Sequence, residues 1–130
     1  MKKMNRVLST LTVLALGIGM TAVAAKMETH TSSMFQGAKA NTGTVMHMSE
    51  NGKSMLKVSA DFKVPDTPAP TWRVVDSKGV IYTLDAFKIK GGEKREVVVP
   101  AYVHDIAKVQ VYCAWAEFLL GEASFSQAVK

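Results

Sequence analysis

The chain has 130 residues, 48% of them hydrophobic and 21% charged, with a formal net charge of +5. Three of the sixteen basic residues, Lys2, Lys3 and Arg6, precede the first apolar run, which leaves 13 bases against 11 acids in the rest. Those remaining bases are scattered singly and not interleaved with aromatics, which argues against a nucleic-acid partner, and a single cysteine excludes a framework of internal disulfides.

The first segment reads as an export signal. Lys2, Lys3 and Arg6 form a positive start, Val7 to Met20 is an uncharged apolar run, and Thr21-Ala22-Val23-Ala24-Ala25 supplies the small residues a signal peptidase accepts. The run is too short, and too soon followed by small residues, for a membrane span. An uncleaved anchor is the competing reading. No cysteine stands near the cleavage point, so a lipid anchor is not expected. Residues 1–25 are therefore expected to be a signal peptide cut after Ala24 or Ala25, with the mature protein periplasmic or extracellular and free of the membrane. About 105 residues remain, enough for one domain that buries roughly two-thirds of its unfolded surface without a metal or disulfide.

Residues 26–41 are rich in Thr, Ser, Gly and Ala with little periodicity and read as a flexible leader. A β domain is expected from 42 to 130. Its first strand is Gly43 to Ser49, and Asn51-Gly52 signals a tight hairpin because both residues tolerate positive φ. The return strand, Met55 to Val64, alternates: Leu56, Val58, Ala60 and Phe62 face the core, Lys57, Ser59, Asp61 and Lys63 face water. Pro65, Pro68 and Pro70 end it. Thr71 to Val75 resumes a strand, Asp76-Ser77-Lys78-Gly79 turns, and Val80 to Ile89 is extended up to Lys90-Gly91-Gly92. Glu96 to Val99 is a further β-branched run. Val109, Val111, Cys113 and Trp115 then share one face of a strand, and Phe118 to Phe125 closes the pattern. Short strands separated by turn signals, with no sustained helical period, predict an all-β domain, a small antiparallel sandwich or barrel-like fold.

From Gly43 onward this order of features resembles the DM-thirteen (electron-transfer DM) domain family. The resemblance is carried by the opening Gly-Thr-Val strand, Ala60-Asp61-Phe62, the proline-marked approach to Trp72-Arg73-Val74-Val75, Leu84-Asp85-Ala86-Phe87-Lys88, Gly92, and Val99-Pro100. Its most specific piece is Val109-Gln110-Val111-Tyr112-Cys113 followed by Phe118 and Gly121-Glu122-Ala123. The resemblance implies a redox or electron-transfer role for the late-strand cysteine, here Cys113. Two places depart from the family pattern: Pro70-Thr71-Trp72 stands where Pro-Asp-Leu is usual, and Ala40-Asn41 where a histidine often precedes the first strand. A cofactor held by those residues in relatives would lack them here, and the cofactor is left unknown.

Each candidate has a bland rival. An exposed or half-exposed Cys113 could pass through a sulfenic acid or a mixed disulfide; on a face with Val109, Val111 and Trp115 it could equally be a small buried hydrophobe. Met46-His47-Met48 is a weak metal candidate of Cu(I) type, extendable by Met27, His30, Met34 and Met55. In a strand the two methionines share one face and His47 takes the other, so the triplet does not close on one ion; Met46 and Met48 are expected in the core and His47 at the surface. His104-Asp105 and Ser54, Ser59, Ser124 and Ser126 lack a catalytic context, and Gly91-Gly92-Glu93-Lys94 reads as a hairpin turn, not a phosphate loop. Trp72 and Trp115 are expected as core anchors, with a carbohydrate- or ligand-binding platform as the alternative. The leading function is redox exchange through Cys113 with a redox protein or other cell-envelope partner. A non-catalytic binding or adhesion module, and copper handling through Met and His, are the alternatives. A stand-alone enzyme is not expected.

Overall fold

Alternating runs need two faces to bury against each other, and the computed structural model, which describes residues 27–130, shows how they do it. The expected signal segment lies outside the described residues. Strands β1 (Met27–Thr31), β2 (Val45–Glu50), β3 (Lys53–Val58) and β8 (Glu96–Val99) form one antiparallel sheet in the order β1-β2-β3-β8. The second sheet has the order β10-β9-β4-β5, from β4 (Pro70–Val75), β5 (Ile81–Ala86), β9 (Ile106–Cys113) and β10 (Phe118–Val129). A two-residue ribbon, β6 (Lys88–Ile89) with β7 (Gly92–Glu93), links them. This is the all-β antiparallel sandwich the alternation predicts.

The β2–β3 hairpin sets the first sheet. Asn51 and Gly52 both have positive φ, 51° and 77°, as a two-residue turn matched to strand twist requires. The turn pairs Glu50 with Lys53 and so His47 with Leu56 and Val45 with Val58. Residues directly opposite share a face, so the inward Leu56 and Val58 carry His47 and Val45 inward with them. This corrects the expected burial of the triplet: His47 is 0% exposed, whereas Met46 is exposed and Met48 half-buried on the outer face.

The return strand is shorter than expected. β3 ends at Val58, Ala60 is exposed, and a turn closed by the Phe62 N–H on the Ser59 carbonyl (3.1 Å) still delivers Phe62 to the core. Arg95 clamps that turn, donating from Nη2 to the carbonyls of Ser59 (2.8 Å) and Phe62 (2.9 Å).

Residues 27–41 depart most from expectation, because the segment read as a leader is part of the sandwich. β1 pairs with β2 through the register His30↔His47, and the stretch after it runs along the free edge of β10. Ser33 donates to Ser124, Gln36 and Glu122 exchange bonds of 2.9 Å, and Ala40 donates to Leu120 (2.9 Å). Phe35 and Ala40 are buried. Two open strand edges and one aromatic anchor explain the capture: an unpaired edge leaves donors and acceptors unsatisfied, and burying a phenyl ring contributes about 1.5–3 kcal/mol.

Valines dominate the core between the sheets, with a run of aromatic rings through it. Phe35 meets Phe62 (4.9 Å between centroids), Phe62 meets Phe87 (5.5 Å), and Phe87 stacks on Trp72 at 4.5 Å and 11°. Trp72, fully buried as expected of a core anchor, donates its indole N–H to the Lys94 carbonyl (2.9 Å).

Candidate functional site

Cys113 is the last residue of β9, opposite Pro70 on β4 and Phe118 on β10. Its neighbours along the inner face, Val109 and Val111, are fully buried, and the cysteine itself is 2% exposed. The exposed-thiol expectation is therefore corrected: alternation carries the side chain inward to the end of the strand. Trp115 is corrected in the opposite direction. The strand stops at Cys113, Ala114 to Glu117 turn back into β10 with Glu117 at φ 52°, and Trp115 is 77% exposed instead of packing in the core. Phe118 and Leu119, at 52% and 41%, extend this apolar tip.

The tip also shapes the thiol. The Ala116 N–H donates to Cys113 Sγ at 3.5 Å. That bond, foremost, draws the thiol pKa below its ordinary value. Burial pushes it up, while the N–H groups of Ala69 and Trp115 and the Thr67 hydroxyl add to the lowering. Thr67 Oγ1 is buried and makes no hydrogen bond to any of the described residues. The local turn thus supplies the one hydrogen bond the sulfur receives from the described residues, and the end of the proline-rich connection lies alongside, where Ala69 accepts from the Ala114 N–H (3.0 Å). This surrounding favours the thiolate electrostatically while the packing hides it.

The Met-His-Met triplet splits across the sheet. Met46 and Met48 face outward, and Met55, opposite Met48, lies with them. His47 points inward to Ser54 Oγ, 2.7 Å from Nε2, and its ring lies 5.7 Å from that of His30 and edge-on to Phe125. Its Nδ1 is buried with no partner among the described residues, a state that ordinarily costs about 1–3 kcal/mol. Burial first, and electrostatic interaction with His30 second, lowers the His47 pKa and so disfavours its charged form. No periodicity argument singles out this pair; the Asn51-Gly52 register is the signal from which His47 could have been found facing inward.

The remaining candidates are structural. Asp105 does not pair with His104 but accepts from the N–H (2.8 Å) and hydroxyl (2.6 Å) of Ser77, tying the β4–β5 turn to the start of β9. Those bonds hold its carboxyl below the usual carboxylate range. Ser59 Oγ accepts from the Thr44 N–H and donates to Asp61, the Ser124 N–H donates to Ser33 Oγ (2.9 Å), and Ser126 borders a crevice with His30 and Phe125. Gly91 turns the β6–β7 ribbon with φ 89°. On the outer face of the second sheet Arg73 lies over Tyr112 (3.8 Å) and donates to Gln110, which in turn donates to Glu122. Among the described residues no three His, Cys, Asp or Glu side chains come together, and no helix is long and apolar enough to cross a membrane. No family model, curated protein or solved structure matches the chain.

Proposed function

We propose that this is an exported β-sandwich module of the DM-thirteen kind that exchanges electrons with a cell-envelope redox partner through Cys113. The observation that carries the reading is the Ala116 N–H on Sγ (3.5 Å), part of a set of donors that lowers the thiol pKa beneath an exposed apolar tip. In the exchange, the Cys113 thiolate attacks one sulfur of a partner disulfide. A new S–S bond forms as the old one breaks, and the partner's second sulfur leaves as a thiolate. The chain has no second cysteine, so the thiol that resolves the mixed disulfide must come from the partner. Because Cys113 is 2% exposed, the tip has to move for the sulfurs to meet, and docking on Trp115 and Phe118 supplies a way to move it.

A second reading, a binding module that docks through the tip with Cys113 as packing, is favoured by that same 2% exposure and by the 77% exposure of Trp115. Thiol chemistry separates the two. Native protein should react with an aromatic disulfide reagent within minutes, with a pH midpoint below that of an ordinary thiol, and Cys113→Ser should abolish the reaction while keeping the fold intact. A thiol that stays silent until denaturant is added would end the redox reading and leave the binding one.

A further inference from the structure

The inner face of the first sheet holds two imidazoles where its neighbours are aliphatic. His30 on β1 and His47 on β2 are register partners, with ring centroids 5.7 Å apart. Their surroundings differ. His47 is 0% exposed, whereas His30 is exposed and borders a crevice of about 250 Å³ also lined by Thr31, Phe125, Ser126 and Gln127.

Only one nitrogen of a neutral imidazole carries a proton. When that proton is on Nε2 it is donated to Ser54 Oγ at 2.7 Å, and Nδ1 keeps a lone pair that nothing among the described residues satisfies. A ring fixed by a hydrogen bond at one nitrogen and left bare at the other is the arrangement of a metal-ligating histidine, in which the outer partner selects the tautomer. The distance agrees. Two rings sharing an ion through metal–nitrogen bonds of about 2.0–2.1 Å have their centroids roughly 5–6 Å apart.

The geometry points to a metal site in which His47 Nδ1 and a ring nitrogen of His30 bind one divalent transition-metal ion of the zinc and copper class, with Ser54 as the positioning residue. The thioethers of Met46 and Met48 take no part, being on the opposite face. With no third His, Cys, Asp or Glu at hand among the described residues, the coordination is completed by water or by oxygens of Ser126 and Gln127 in the crevice. The ion is therefore exchangeable and not a folding requirement. The site does not depend on Cys113, which lies on the other sheet.

Calorimetric titration of the exported protein with Zn²⁺ tests it, read together with the imidazole nitrogen NMR signals. One ion should bind per chain, shifting His47 Nδ1 and a His30 nitrogen and leaving His104 unmoved. His30→Ala, a change at an exposed side chain, should weaken binding at least tenfold without altering the melting temperature of the metal-free protein. Ser54→Ala should weaken it by about tenfold to a hundredfold, whereas His104→Ala and Cys113→Ser should leave it unchanged. Failure of Zn²⁺ to bind, parental affinity in His30→Ala, loss of binding in His104→Ala, or binding that leaves His47 Nδ1 unshifted would each overturn the site. The NMR signals are read on the parent protein, so they decide the matter even if a variant fails to fold.

Discussion

Phe62 sits between two other rings, Phe35 at 4.9 Å and Phe87 at 5.5 Å, and is 2% exposed, while Lys63 beside it points to water. Truncating a phenyl ring in such a place removes both its transfer energy and the contacts of the rings around it. Phe62→Ala should cost about 3–5 kcal/mol. Lys63→Ala should stay within about 0.5 kcal/mol, because its structural bond, the main-chain N–H to Thr42 Oγ1 (2.8 Å), survives the change. Urea melts compare the two, and equal losses would mean that the strand end is packed the other way round. The inward aim of Phe62 was legible from the alternation of Leu56, Val58 and Phe62, although the path was not. The alternation continued through Ala60 as if the strand did, whereas a turn held by Arg95 restores the parity. A guanidinium reaching back from the connection before β8, some 35 residues later, leaves no local pattern.

At the scale of the element, β10 is held on both edges, by β9 and by the stretch from Ser33 to Ala40. The approach there is so close that a Cβ on Gly121 would overlap the carbonyl of Ala40, and one on Gly37 the carbonyl of Leu120. Backbone cannot yield as a flexible side chain does, so the strands must part. Gly121→Ala should cost about 1–3 kcal/mol and should speed hydrogen exchange at the Lys39 and Ala40 amides, both of which donate to Leu120. Gly92→Ala is the control, since its Cβ would meet open space and the change should stay within about 0.5 kcal/mol. Unchanged exchange at Ala40 in Gly121→Ala would show that the segment is not seated on β10. The predicted run from Glu96 to Val99 coincides with β8, whereas β9 begins at Ile106, three residues before the predicted Val109. Alternation carried the β9 face two residues too far, to Trp115, because it could not register that β9 stops where Ala114 donates to Ala69 and the chain turns.

For the molecule as a whole, the question is where the folded unit begins. Phe35 and Ala40 are core, and β1 with the stretch behind it covers the edges of β2 and β10. A chain starting at Thr42 would lose a phenyl ring worth about 1.5–3 kcal/mol of burial and would expose two strand edges open to pairing with other copies. Compared with a chain starting at Lys26, it should melt at lower urea and self-associate in sedimentation. Matching melts and a matching monomer would show that residues 26–41 are a leader after all.

What the sequence determined by itself is local: the Asn51-Gly52 turn, the run of short antiparallel strands, the inward rows of Leu56 with Val58 and of Val109 with Val111, and Trp72 as an anchor. Each follows from a two-residue period or from backbone conformations that few residues tolerate, which neighbours in the chain suffice to specify. His47 stood at the limit of that reach. Turn and inward Leu56 together imply that it points inward, although its own Met-rich context suggests the reverse. Tertiary structure alone decided the rest: that the proline-rich connection, at Ala69, is bonded to the strand end beside Cys113, that His30 lies across from His47, and that residues 27–41 close the sandwich. These pairings join segments through edges and ends of sheets, where the partner is chosen by which hydrogen bonds and apolar surfaces remain unmet once the strands have assembled.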